Sequence, residues 1–442
     1  MPHESKGLQS ARTYPLWDAI FNRRSRRVAV GGAFRSGVLS FQSSRQPQPL
    51  LPLEEAVLIA ATGVTGLAFA DNPYQTETGK PLLGTPLIEA HGRAAGSPDN
   101  AQSTYFFMWN DEGTFLLKPP VGPLPSIDVR TMSGDQLIAH TDRFKVKVRA
   151  GRVDFPRAFP AYASGNRYVS NVRGSTMFVP VTEVTRQYIN GLFYVLAQED
   201  GQRPMFVDDF NLYLPCGCEK WVKSRFLNRD IPLPLSMYAK GRTEYESLLL
   251  LQNLALVAQA IGLGGWIHAA FAPVVLLGGY PELGPGLGFR FEKPAPLVPL
   301  VPRPYPATFP NPVGLDGVLQ AYCPPYFSDM DAAIDAILAE KYGPDGLYRD
   351  PARGVPNMKA EVGARFVVEA PHVEPEVVEC VRAICRYIWT TYGRFPAHCH
   401  AIDSAGVWMQ CHHLDPDFYE RYFVNGYSPT QAQHAAVWHG DS

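Results

Sequence analysis

Four guanidinium groups fall within five consecutive positions, at Arg23, Arg24, Arg26 and Arg27 of the stretch FNRRSRR. The chain as a whole has a formal net charge of only −2, so this basic patch must act on something close by and not through an overall field. Just upstream, Leu16, Trp17, Ile20 and Phe21 recur at helical spacing behind Pro15, a residue suited to a helix's first turn. The arginines then sit at that helix's C-terminal end, where one or two cations complement the negative pole. Four exceed that need. By itself the run also has the form of a nucleic-acid or targeting signal, but the near-balanced charge argues against nucleic acid and against an anionic membrane as partners.

A second concentration of reactive side chains lies in AHCHAIDSAGVWMQCHHLD, which holds His398, Cys399, His400, Cys411, His412, His413 and Asp415. Neutral imidazole and thiolate suit zinc, copper or iron. The segment has neither a C-x-x-C pair nor the i, i+4 histidines of a zincin, so it is read as structural or active-site lining and no metal site is assigned. Cys216-Gly217-Cys218 also lacks redox-dithiol spacing, and seven scattered cysteines point to reduced thiols. No G-x-S-x-G, Walker or G-x-G-x-x-G motif occurs, and GYPELGPGLGF has the wrong order for a phosphate loop.

The elements that must position these groups follow from periodicity and punctuation. LPLEEAVLIAATG predicts a helix with Pro52, Glu54 and Glu55 in its first turn and Gly63 as its stop. TYFFMWNDEGTFLLK predicts a hairpin over 104–118 with a four-residue turn. A helix is expected from about Thr182 to Gln198. Another, apolar almost all round from Leu248 to Ile261, is expected to be buried in the core and stopped by Gly262, Gly264 and Gly265. Eight prolines between 294 and 312 predict an extended connector and a domain boundary. Beyond it, Ser328 and Gly343 bracket one helix, and Val377, Val381, Ile384, Cys385 and Ile388 form the stripe of another, so 313–442 reads as a mainly helical extension.

The order Arg23-Arg24-Ser25-Arg26-Arg27, a helix of the LEEAVLIAA kind and the later QNLALVAQAIGLGG together resemble the FMN-dependent nitroreductase family. The resemblance covers mainly residues 14–70 and 240–285. It implies an α+β fold, a mixed sheet flanked by helices, in which 14–293 form the flavin domain behind a loose tail over 1–13. It also implies FMN as cofactor, held at its phosphate or pyrimidine edge by Arg23, Arg24, Ser25 and Arg27, with Arg26 in the variable position. Guanidinium forks bind phosphate oxygens bidentately, and a nearby cation stabilises the charge on a reduced flavin. Gly264 and Gly265 would let backbone approach the flavin, and Arg290 would supply a further phosphate cation.

This chain departs from the family where relatives have an APSxxNxQPW-like segment: TGVTGLAFADNPYQ keeps only Asn72 and Gln75 as possible counterparts. Residues 85–240 are longer than in a minimal member and imply an insertion. The resemblance therefore implies a homodimeric oxidoreductase that moves hydride or electrons between NAD(P)H and a small organic substrate, with no catalytic side chain demanded. The N-terminal MPHESKGLQS, with no apolar stretch after its charges, is unlike a secretory signal and leads to the expectation of a cytoplasmic protein. Two alternatives are a non-catalytic flavin- or ligand-binding module of the same fold, and a metal-dependent oxygen-using enzyme built on the C-terminal His/Cys cluster.

Overall fold

The computed structural model describes residues 5–67, 79, 91–97, 101–119, 128–209, 211–292, 311–355, 357–396, 398–399 and 406–440. Asn72, Gln75, His400 and most of the proline-rich connector lie outside the described residues. The protein is a mixed α/β structure with several antiparallel sheets. None of the described helices is long and apolar enough to cross a membrane.

The principal sheet uses strands β1 (Thr104–Trp109), β2 (Gly113–Leu117), β3 (Lys145–Ala150), β4 (Thr176–Glu183), β5 (Gly264–His268), β6 (His398–Cys399) and β7 (Trp408–His412). Its order is β5-β7-β4-β1-β2-β3, all antiparallel, with β6 also paired to β4. The expected hairpin is β1–β2. Gly113 joins the second strand, so the turn is Asn110–Glu112, and the Asn110 carboxamide oxygen accepts from the N–H groups of Glu112 and Gly113.

Strand alternation sends two apolar sets to opposite faces. Phe107, Trp109, Val179 and Trp408 pack with Phe271 and Phe289 on one side. Phe106, Met108, Phe178 and Met409 pack on the other against α3 (Pro52–Thr62) and α4 (Ser236–Ala260), which follow α1 (Lys6–Thr13) and α2 (Leu16–Asn22). Pro52 occupies the first helical position of α3, as its missing N–H allows.

Over its described side chains α4 buries a stripe through Leu250, Leu251, Leu254, Ala255 and Ala258, while Leu248 and Leu249 are about half exposed, at 49% and 46%. The expectation of an all-round buried helix is therefore corrected. Gly262 does end it, at φ +79°, and a Cβ there would lie 2.7 Å from the Thr430 carbonyl oxygen.

A further core joins the helix Thr185–Leu196 to the helices Met330–Tyr342 and Pro375–Tyr392. The predicted stripe Val377, Val381, Ile384, Cys385 and Ile388 is buried within it. The helix Met330–Tyr342 is capped by Asp329, whose carboxylate accepts from Ala332 N–H, and not by Ser328. Residues beyond 313 thus share a core with 184–235, and their last part returns to the principal sheet as β7. Two short helices, α5 (Pro416–Tyr422) and α6 (Pro429–Trp438), follow that strand. Cys216, Cys218, Cys323, Cys380, Cys385 and Cys411 are buried and unbridged.

Candidate functional site: an arginine-lined cleft

After α2 the chain runs extended through 23–28 and is stitched to the C-terminal segment. Ala29 bridges Leu414, Val30 N–H donates to His413 O, and Asp415 N–H donates to Val28 O. The Tyr419 hydroxyl accepts from Val28 N–H. These bonds hold the arginine run against α5, nearly four hundred residues away in sequence.

The arginines differ in role. Arg24 donates to the carbonyls of Phe21 and Arg23 at 2.9 and 2.8 Å, capping the end of α2 as a helix-end cation does. Arg26 is buried, its Nε donates to Gly426 O at 2.7 Å, and its Nη1 is buried without a hydrogen-bond partner. Burial is the main influence lowering its pKa. Arg27 lies over the Trp266 ring at 5.0 Å, and Trp266 stacks in turn on His268 with ring centroids 3.5 Å apart. None of the four forms an ion pair with a described carboxylate.

Arg24, Ser25, Arg26 and Arg27 form one wall of a cleft of about 1160 Å³, Phe34 and Arg35 another, and Tyr168, Phe418, Tyr419 and Phe423 complete it. Four arginines and no Asp or Glu line it among the described residues. The site therefore combines concentrated positive charge with aromatic surface, the complement of an anionic planar molecule.

The other residues singled out by sequence fall as follows. Arg23 and Arg24 do meet Gly265 and Trp266, across a gap of about 10 Å³. That space holds at most one water and no planar ring. Gly264 and Gly265 serve close packing instead, since a Cβ would come within 2.7 Å of His412 Nε2 or 2.9 Å of Met409 Cε respectively. Arg290 pairs with Glu292 at 3.4 Å on a separate three-stranded sheet and does not line the cleft. Asn72 lies outside the described residues. Arg26, read as the variable position, is the one arginine buried at the cleft, and Arg35, Phe34 and the 418–426 wall had no motif to announce them.

His268 is buried behind Trp266. Its Nε2 meets Ser170 Oγ at 2.8 Å and its Nδ1 the Trp266 carbonyl at 3.2 Å. Burial pushes its pKa down to about 3, with Arg27 adding to the effect, so it is neutral at ordinary pH.

Among the described residues, the strands of the C-terminal His/Cys segment pair at different places along β4. His398 and Cys399 pair with Glu183 and Thr182, at the opposite end of β4 from Cys411, which pairs with Thr176. His412 is buried beside Gln410, its pKa pushed down to about 3 by burial. His413 turns to the other face, where it meets Glu54 together with His434 and His439. Burial alone would raise the Glu54 pKa, but His413 and His434 outweigh it and hold the carboxyl well below the usual carboxylate range. In the sequence Glu54 has the form of a first-turn acid, and His434 in α6 and His439 just after it belong to no ligand motif.

The chain matches no protein-family model, and comparison with curated proteins finds no match.

Proposed function

We propose that the protein binds FMN in the arginine-lined cleft and acts as a flavin-dependent oxidoreductase toward a small organic substrate. The observation that carries this reading is the cleft's lining of four arginines, several aromatic rings and no carboxylate. The residues present fit the cofactor. Arg26 presents an unpartnered, buried Nη1 for which a phosphate oxygen is the natural acceptor, and Arg27 and Arg35 add exposed forks. Phe34, Tyr168, Phe418 and Phe423 offer apolar surface for a ring system. Bound FMN would supply hydride or electron transfer at N5, with NAD(P)H as the transient reductant; the protein's own part is orientation and charge. The narrow gap at Gly265 turns this reading toward the wide cleft and away from the glycine strand.

The likeness to nitroreductases also suggests a homodimer, and apolar side chains left exposed on α2 and α4 support that. Six buried, unbridged thiols fit a reducing cytoplasm.

The test is a fluorescence titration of FMN into flavin-free protein. Binding is expected for the unaltered chain and should weaken at least about tenfold in Arg27→Ala/Arg35→Ala, since each charge-assisted hydrogen bond contributes about 1.5–3 kcal/mol. Both side chains are exposed, so the variant should fold. No FMN binding by the unaltered protein would overturn the reading. Tight FMN that NAD(P)H cannot bleach would replace the oxidoreductase with a flavin-binding module.

A further inference from the structure

We propose that Glu54, His413, His434 and His439 bind one zinc ion in a closed, structural site that clamps the C-terminal helix to the body of the protein. The site lies apart from the arginine cleft, none of its four residues lines that cleft, and it does not depend on flavin binding.

Its geometry is convergent. Glu54 Oε2 lies 3.0 Å from His413 Nε2, and Glu54 Oε1 lies 2.9 Å from His434 Nε2 and 3.1 Å from His439 Nε2. All four ligand atoms lie within 4.8 Å of one another. The three imidazole centroids form a nearly equilateral triangle with sides of 5.0, 5.2 and 5.3 Å. Three elements supply the ligands: the first turn of α3, the residue after β7, and the middle of α6 with the residue that follows its last turn.

Protonation decides what this arrangement means. His413 Nδ1 faces the Gln48 carbonyl at 3.2 Å, and His434 Nδ1 faces the Ile261 carbonyl at 2.7 Å. A carbonyl only accepts, so both rings carry a proton on Nδ1, and in a neutral ring Nε2 then presents a lone pair. Two lone pairs directed at a buried, ionised carboxylate repel it unless a positive species lies between them. His434 Nε2 sharpens the point. It is buried and makes no hydrogen bond, because its 2.9 Å approach to Glu54 is out of line for one. Backbone carbonyls fixing the Nδ1–H tautomer are the usual outer support of metal-bound histidine. Glu54 is supported similarly, with Oε2 accepting from Leu51 N–H at 2.7 Å.

The alternative is protons alone. His439, whose Nδ1 faces the Gln48 amide nitrogen at 3.2 Å, can donate Nε2–H to Glu54 as a neutral ring, but His413 and His434 would have to be imidazolium ions in a place where Glu54 is fully buried and they are nearly so. One divalent ion replaces those protons, and with the metal bound the Gln48 amide turns its oxygen to a His439 Nδ1–H. Three imidazoles and one carboxylate suit zinc, whose bonds of about 2.0–2.2 Å set tetrahedral ligands about 3.4 Å apart. The present separations need only small adjustments to reach that value. Four protein ligands complete the tetrahedron and leave no open position for substrate or water, which makes the site structural.

The experiment is metal analysis of tag-free protein by inductively coupled plasma mass spectrometry, followed by chelation and titration with Zn²⁺ and Co²⁺. About one zinc per chain is expected, whatever the flavin content. Co²⁺ should give the intense visible bands of a tetrahedral site, and both ions should bind at least about 100-fold more weakly to His434→Ala and to the volume-conserving Glu54→Gln. Chelation should lower the melting temperature of the unaltered protein and leave that of His434→Ala unmoved. Should either variant fail to fold, the unaltered chain alone decides. A protein that is metal-free as purified and takes up neither ion after dialysis would overturn the proposal and leave a proton-shared network.

Discussion

A neutral imidazole held out of water links local packing to pH. His268 is sandwiched between Trp266 and the Ser170 hydroxyl, and burial lowers its pKa to about 3 from an ordinary value near 6.5. Because the folded pKa is depressed, the unfolded chain takes up the proton first. The stability tied to this group is intact above about pH 6.5 and drains away as pH falls toward 3, with a limiting slope of about 1.4 kcal/mol per pH unit for one proton. Urea unfolding at pH 5 and 6 should therefore show a steeper loss in the unaltered protein than in His268→Gln, and equal slopes would exclude this role. The same residue shows what sequence can and cannot convey. FNRRSRR was legible because its arginines are contiguous, whereas their stacking partner Trp266 and the wall at 418–426 come from distant strands and carry no local signal. Arg26 looked expendable only because burial is invisible in a one-dimensional motif.

At the scale of elements, a buried ion pair pins α4 near its middle. Arg93, on the short strand His91–Arg93, contacts Glu246 at 2.7 Å, with side-chain exposures of 7% and 1%. Ser97 Oγ and Ser103 N–H also donate to that carboxylate. Removing one partner leaves a buried charge unpaired, so Arg93→Ala should cost about 3–5 kcal/mol in chemical denaturation. Removal of both charges in Arg93→Met/Glu246→Leu should recover much of the loss, and full additivity of the two would refute the coupling. Helices were the most legible elements, since Pro52 marks a first turn and Gly262 and Gly343 mark stops. The burial of α4 was misjudged for a physical reason: apolar composition reports a need to leave water, not whether the cover is the same chain or another.

That distinction matters for the whole molecule. Leu16, Trp17, Ile20 and Phe21 of α2 are all exposed, as are Leu248 and Leu249 of α4, and α2 packs on α4. Exposed large apolar side chains grouped on adjoining helices mark an association surface. If the chain dimerises through it, Trp17→Glu/Leu249→Glu should halve the mass seen by light scattering after size exclusion while leaving far-ultraviolet circular dichroism intact. A monomeric unaltered protein would rule the interface out.

The insertion of β7 between β5 and β4 carries a temporal consequence. Strands formed from residues 104–268 cannot complete their sheet until residues 408–412, made far later, slide into the vacant lane. During synthesis Gly264–His268 must wait beside an open slot through well over a hundred further residues, with Met409 and Trp408 not yet available to seal either face. Such a polypeptide commits to its final topology only once residues 408–412 have been made, and until then the sheet keeps two unpaired edges facing one another.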